Sequence, residues 1–136
     1  MRITRKEKSA LAIVTPSGEH LYEMIGASRE LGSASNQSLA CSVIPPGKNS
    51  AAHYHKVSEE TLYILQGSGH MQVDERTFTV ETGDVIFLEP GEIHSLYNDS
   101  QTIELKQLAI TAPPWSALDV YLSEESVSFN EHDEQH

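Results

Sequence analysis

The sequence GKNSAAHYHKVSEETLYILQG, from Gly47 to Gly67, carries the pattern from which fold and function can be predicted. In a β-strand, successive side chains alternate between faces, so His53 and His55 would point to one side and Tyr54 to the other. Two imidazoles followed by a carboxylate from the acidic pair Glu59-Glu60 suit a divalent metal that accepts nitrogen and oxygen ligands. Taken alone, the histidine pair is also compatible with a polar bend that binds nothing.

A second stretch, GDVIFLEPGEIHSLYN, runs from Gly83 to Asn98. The two stretches together resemble the two signature motifs of the cupin family, with the short separation typical of small microbial cupins. One position departs, because Glu89 occupies the place of a proline in the second motif. Pro90-Gly91 follows directly, so the turn is still expected to form. The resemblance implies an all-β protein, a double-stranded β-helix or cupin jelly-roll barrel.

The same resemblance implies a metal site with four ligands: His53, His55, Glu60 and His94. The first motif has the form G-x5-H-x-H-x4-E-x6-G when Glu60 is taken as its carboxylate. Glu59 competes for that role, since both spacings occur in the family. Glu60 leaves the usual six residues before the closing glycine and is therefore favoured. Glu59 would then be a solvated neighbour or an acceptor for a histidine N–H.

The composition of this ligand set indicates an open site. No cysteine takes part, which argues against a closed structural zinc site. Three histidines and one carboxylate leave one or two coordination positions for water or substrate. Fe, Mn, Ni, Co and Zn all accept such ligands, so the cofactor is predicted as one divalent metal ion of unspecified identity.

Length and charge limit the remaining possibilities. A chain of 136 residues suits one domain, and its formal charge of −11 disfavours nucleic acid and anionic membrane surfaces as partners. There is no apolar run long enough to cross a membrane and no signal-peptide pattern. The single cysteine, Cys41, cannot form an internal disulfide and is expected to pack as a small buried hydrophobe. These features favour a cytoplasmic protein.

Short apolar runs separated by turn signals predict many β-strands, which is typical of a sandwich or barrel. The expected strands are 21–25, 38–44, 61–66, 71–73, 77–80, 84–88, 94–97 and 102–110. Ser116-x-x-Asp119 has the form of a capping box and predicts a short C-terminal helix through about Leu122. We expect a flexible N-terminal arm (1–9), one barrel domain (10–122) and an acidic, disordered tail (123–136).

Other polar and aromatic residues carry weaker expectations. Gln72 and Gln107 can lie on inward faces and orient a ligand, whereas Tyr54 and Tyr97 should point away from the metal. Trp115 is expected to be a packing plug or dimer contact. The remaining histidines are expected at the surface or in the tail: His20, His70, His132 and His136.

The sequence shows no general base outside the ligand set, and this favours an oxygenase, which can leave most chemistry to the metal and O2. Two alternatives stay open. One is a metal-containing protein that binds or senses a small ligand without chemistry. The other is a sugar-phosphate isomerase or epimerase, which the small number of lysines and arginines, nine in all, disfavours. The resemblance also implies a homodimer.

Overall fold

The structure is a computed structural model that describes residues 1–5, 12–27 and 33–123. Nearly all of the regular structure in these residues is β-strand. The strands are β1 (Ala12–Val14), β2 (His20–Ile25), β3 (Ser38–Ile44), β4 (His53–His55), β5 (Glu59–Gln66), β6 (Ser68–Val73), β7 (Arg76–Glu81), β8 (Val85–Leu88), β9 (His94–Asn98), β10 (Leu105–Ala112) and β11 (Val120–Leu122).

The strands form two antiparallel sheets. One has six strands in the order β1-β2-β3-β10-β5-β8, and the other has five in the order β11-β4-β9-β6-β7. Sequence neighbours such as β4 and β5 therefore lie in different sheets, as a double-stranded β-helix requires. The predicted all-β jelly-roll barrel is confirmed.

Alternation along the strands places the core between the sheets. In β5, Leu62 and Ile64 are buried while Tyr63 and Leu65 are exposed. Burying one such aliphatic side chain stabilises the fold by about 1.5–3 kcal/mol. Both sheets contribute to the core cluster, which consists of Ile44, Leu62, Ile64, Met71, Val73, Val80, Leu88, Leu96 and Leu105.

The inner face of β3, β10 and β5 changes from apolar to polar along the strands. At one end Leu105 lies opposite Ile44, both fully buried. At the other end Thr111 lies opposite Ser38 on β3 and opposite Glu60 on β5. The strand register thus separates a dry core from a polar end inside the same barrel.

The predicted C-terminal helix is wrong in extent, because a 3-10 turn, Ala117–Asp119, takes its place. The Ser116 side chain caps it by accepting a hydrogen bond from the backbone N–H of Leu118. The Asp119 carboxylate does not complete a capping box. Instead it accepts hydrogen bonds from the loop after β4, and the next three residues pair with β4 as β11.

The strand predicted from residue 102 begins three residues later, at Leu105. The Asn98 side chain donates to the carbonyl of Ile103, and Ser100 accepts from the N–H groups of Thr102 and Ile103. These local bonds hold the segment in a turn, so its backbone groups are not available for sheet pairing.

Residues 6–9 of the predicted N-terminal arm and all of the predicted tail after Ser123 lie outside the described residues, and both the arm and the tail stay predictions. The predicted burial of Cys41 is confirmed. In the part of the chain that the structure describes, no helix has the length and apolar character needed to cross a membrane.

Candidate metal site

Strand β4 presents two histidines to the barrel interior. The ring of Tyr54, between them, stacks on Tyr121 at a centroid distance of 5.3 Å and so faces the other way, as alternation predicts. β4 pairs with β9 through His53 opposite His94. This pairing brings the third imidazole beside the first, with ring centroids 4.4 Å apart.

The segment before β4 is fastened to β9 by a serine. The backbone N–H of Ser50 donates to the carbonyl of Leu96 at 2.9 Å, and its hydroxyl accepts from the N–H of Leu96 at 2.8 Å. The Ser95 hydroxyl donates to the Ser50 carbonyl. These bonds fix the approach of His53 to His94.

Strand β5 supplies the carboxylate. Glu60 is buried and Glu59 is exposed, so Glu60 is the residue that joins the histidines. Its Oε1 lies 3.0 Å from Nε2 of His94 and 3.8 Å from Nε2 of His55, while Oε2 accepts a hydrogen bond from Thr111 at 3.2 Å. We call His53, His55, Glu60 and His94 the His/Glu cluster; one ligand atom from each lies within 4.8 Å of the others.

The hydrogen bonds around the His/Glu cluster fit a metal ion. Nδ1 of His53 donates to the carbonyl of Ala51 at 2.8 Å, and Nδ1 of His94 donates to the carbonyl of Glu92 at 3.0 Å. Both bonds leave Nε2 of the ring facing the cluster, the arrangement usual for metal-binding histidines. Both ring nitrogens of buried His55 lack a hydrogen-bond partner among the described residues. A cation would satisfy one of them, so these residues fit a divalent metal.

The electrostatics of the cluster also suit nitrogen ligands. Burial, aided by the charge of His94, lowers the pKa of His53 to about 4 and keeps it neutral at pH 7. Burial alone would raise the pKa of Glu60, but the hydrogen bond and charge of His94 outweigh it and lower that pKa. Burial would likewise lower the pKa of His94, and Glu60 reverses the shift and raises it. The raised pKa favours the protonated form of His94. A metal must displace that proton to bind His94, so metal affinity should rise with pH.

Sequence reasoning missed the residue that holds the loop between His55 and Glu60. The Asp119 carboxylate accepts hydrogen bonds from the backbone N–H groups of Lys56, Val57 and Ser58 at 3.0–3.2 Å. Burial would raise the pKa of Asp119, but these bonds outweigh it and lower that pKa. The loop therefore depends on a residue more than sixty positions away in sequence, and no local pattern indicates this.

Replacing Asp119 with alanine should free this loop. We expect metal affinity to fall about tenfold, since neighbours that orient ligands are typically worth 10–100-fold, and the free energy of unfolding to fall by about 1 kcal/mol. Metal titration against a chelator and urea denaturation measure the two effects. Glu75→Ala, which removes one charge from the exposed β6–β7 turn, is the control and should change neither. Unchanged affinity in Asp119→Ala would contradict this role.

A cavity of about 110 Å³ adjoins the His/Glu cluster, and His53, Glu60 and His94 form part of its wall. This volume accepts several waters or one small organic molecule. Apolar side chains form most of the remaining wall, including Leu21, Leu62, Met71, Leu96 and Trp115.

Glu19 also lines this cavity and was not recognised from the sequence. It is buried, and its Oε2 accepts a 2.5 Å hydrogen bond from the Ser42 hydroxyl. Burial raises the pKa of Glu19; the Ser42 bond opposes this and the charge of Glu60 adds to it. The missed signal was alternation. Extending β2 backward by one residue puts Glu19, Leu21 and Glu23 on one face, and all three line the cavity.

Glu19→Gln should gain stability relative to wild type as pH rises. Folding raises the pKa of Glu19 above its ordinary 4.5. The contribution of protonated Glu19 to the free energy of unfolding is therefore fully present below that value. It is lost as pH rises through the folded-state pKa. Urea denaturation of metal-free protein at pH 5 and pH 8 measures the difference. The exposed Glu81→Gln is the control, and a variant-minus-wild-type difference that does not change with pH would contradict the prediction.

Of the other residues named from the sequence, some line the cavity and others face away from it. Gln107 is buried and lines the cavity, whereas Gln72 lies between the inward residues Met71 and Val73 and so faces outward. Trp115 lines the cavity and is 37% exposed. Tyr97 stacks on His70 at 4.6 Å, away from the His/Glu cluster.

Comparison with known proteins identifies the family. The sequence profile described as "Cupin domain" matches residues 41–111. An uncharacterized protein of Methanocaldococcus jannaschii is 33% identical over 125 residues, covering 91% of this chain and 98% of the relative. The chain therefore belongs to the cupin family.

A second sequence relative and one solved structure have names that state different functions. An oxalate-binding protein of Thermotoga maritima is 36% identical over 67 residues, which are 49% of this chain and 54% of that protein. The solved structure of the polyketide cyclase RemF from Streptomyces resistomycificus has a TM-score of 0.72 and 21% identity, covering 96% of this chain and 93% of that chain. At that identity the structural likeness supports the fold alone.

Proposed function

We propose that this cupin is a metal-dependent enzyme whose small polar organic substrate binds through oxygen atoms beside the His/Glu cluster. In this proposal His53, His55, Glu60 and His94 hold one divalent ion of Fe, Mn, Ni, Co or Zn. The observation that carries it is the converging ligand set, in which His53, Glu60 and His94 line a cavity and both nitrogens of buried His55 lack a partner among the described residues. The ion would supply positive charge that polarises a substrate oxygen.

Two reaction classes fit this site. An oxygenase is supported by the coordination positions that three histidines and one carboxylate leave open. A lyase or isomerase that moves a proton is supported by Glu19, because a buried carboxyl group shares the cavity with the cluster. The sequence-based preference for an oxygenase depended on the lack of any such group, so proton transfer is now the better supported class. The cavity wall includes no Lys or Arg among the described residues, which disfavours a sugar phosphate as substrate.

The test begins with elemental analysis of protein purified without chelators. Protein reloaded with each of the five metals is then incubated aerobically and anaerobically with small organic acids, diketones and phenols, and products are identified by mass spectrometry. Anaerobic turnover supports proton transfer, and turnover that consumes O2 supports an oxygenase. Calorimetric binding of oxalate, with no turnover of any compound by any metal form, would instead support a binding protein such as the Thermotoga relative's name describes.

We also infer a homodimer, formed through the outer face of the six-stranded sheet. Val85 lies opposite Tyr63, and Phe87 opposite Thr61, which in turn faces Ile110. The side chains of Tyr63, Val85, Phe87 and Ile110 are exposed and form one patch on this face. Soluble monomers rarely leave such a patch uncovered.

Phe87→Glu should convert such a dimer to a monomer. A charge within an apolar interface loses hydration without gaining a partner. Sedimentation equilibrium should give twice the 15.0 kDa chain mass for wild type and a single chain mass for the variant. Leu118→Glu, at a position 90% exposed and outside this face, is the control. A monomeric wild type would overturn the inference.

A further inference from the structure

The Glu19 carboxyl group lies in the cavity, where a bound molecule could reach it. Few contacts to the rest of the protein explain its burial. It lines the cavity inside the barrel together with the apolar side chains of Leu21, Leu62 and Leu96. Its side chain has one hydrogen bond from the described residues, that of Ser42 to Oε2. Burying a carboxyl group costs stability, and such costs concentrate at functional sites.

The strand register places a second polar side chain, that of Gln107, beside Ser42. Ser42 on β3 pairs with Leu21 on one side and with Gln107 of β10 on the other. Gln107 is buried, lines the cavity, and its Oε1 has no hydrogen-bond partner among the described residues. An unpartnered acceptor of this kind is satisfied by a donor on a bound molecule.

We propose that Glu19 is the proton-transferring residue of this cavity, that Gln107 accepts a hydrogen bond from a substrate hydroxyl, and that the substrates are small 3-hydroxy-2-oxo acids. This rests on the proposed function, which brings a small oxygen-bearing substrate into the cavity. Such acids have adjacent carboxylate and carbonyl oxygens for the cluster side. They also carry a hydroxyl for Gln107 and an acidic C–H for Glu19.

The proton transfer needs no further reactant. Oε1 of Glu19 takes the proton from C3, the C3–H electron pair forms a C2–C3 double bond, and the carbonyl π pair moves to the C2 oxygen. Ser42 keeps its bond to Oε2 throughout and so holds Oε1 toward the substrate. Return of the proton to C3 restores the substrate. Return to C2, together with transfer of the C3 hydroxyl proton to the C2 oxygen, makes C3 the carbonyl carbon and yields the isomer. Burial raises the pKa of Glu19, which brings this carboxyl closer to the neutral range where general acid–base catalysis is efficient.

Hydrogen exchange at C3 tests the proposal with a chosen probe. Metal-loaded protein is incubated with hydroxypyruvate in D2O, and loss of the C3 proton signal is followed by NMR. Wild type should exchange these hydrogens, and Glu19→Gln should exchange them at least about 100-fold more slowly. The variant should still bind one metal ion and hydroxypyruvate by calorimetry. Gln107→Leu should weaken hydroxypyruvate binding about tenfold or more and leave the affinity for pyruvate, which lacks the hydroxyl, unchanged.

The controls separate this proposal from the proposed function. Glu81→Gln, on the exposed face of β7, should exchange like wild type. Should Glu19→Gln not fold, Glu19→Asp tests the same role, since it withdraws the carboxylate by one methylene and should slow exchange about tenfold. Wild type that binds one ion but exchanges no hydrogen, or Glu19→Gln that exchanges normally, overturns this inference alone. Wild type that binds no ion overturns the proposed function with it.

Discussion

Alanine at position 55 should reduce the affinity of the protein for a divalent ion by at least about 100-fold. His55 contributes a buried imidazole whose two nitrogens have no partner among the described residues. Within the His/Glu cluster, Oε1 of Glu60 lies 3.8 Å from its Nε2. Removing a ligand costs more than removing a neighbour that orients one, and the latter already costs 10–100-fold. Equilibrium titration with Zn and Co against a competing chelator gives the two affinities.

A second readout distinguishes lost metal binding from damaged folding. Metal that binds only the folded state raises its stability, so wild type should lose thermal stability on chelation. His55→Ala should have a melting temperature that no longer responds to the chelator. His70→Ala is the matched control, because His70 pairs with Asp99 at the surface, outside the cluster. One ion per chain bound tightly to His55→Ala would refute the assignment of His55 as a ligand.

Most of the fold could be predicted because its signals are local. The strand pattern of β5 alternates buried and exposed residues, and the turn glycines Gly67, Gly83 and Gly91 adopt positive φ angles that favour glycine. The helix expected after Ser116 failed because the tertiary partner of Asp119 is the loop after β4. A capping box describes local bonds only, and here distant backbone N–H groups compete for the carboxylate.

The candidate site was predictable to the extent that it lies in the two motifs. His53, His55, Glu60 and His94 come together as the resemblance to the cupin motifs implied. Glu19, Thr111 and Asp119 were missed because each acts across a strand pair or between segments far apart in sequence. The role of Thr111, for example, follows from the pairing that puts it opposite Glu60. The sequence of one strand does not determine its register with a strand that is distant in the chain.

Gly69 holds two strands of the metal-bearing sheet close together, and its replacement by alanine should be strongly destabilising. Gly69 lies in β6 between β7 and β9, opposite Asn98. A Cβ there would sit 2.0 Å from the backbone carbonyl oxygen of Tyr97 and 3.3 Å from Cδ2 of Leu105. A backbone atom cannot rotate away, so β6 and β9 must separate.

We expect Gly69→Ala to lower the free energy of unfolding by about 3 kcal/mol, the upper part of the range for overpacked interiors. β9 also carries His94, opposite Val73 further along β6. Separation of the two strands should therefore weaken metal binding as well. Urea denaturation and metal titration of the same sample measure both effects. Ser68→Ala, one residue earlier and exposed, should stay within about 0.5 kcal/mol of wild type. Wild-type stability in Gly69→Ala would mean that β6 and β9 are not held at the close spacing that places His94 beside His53.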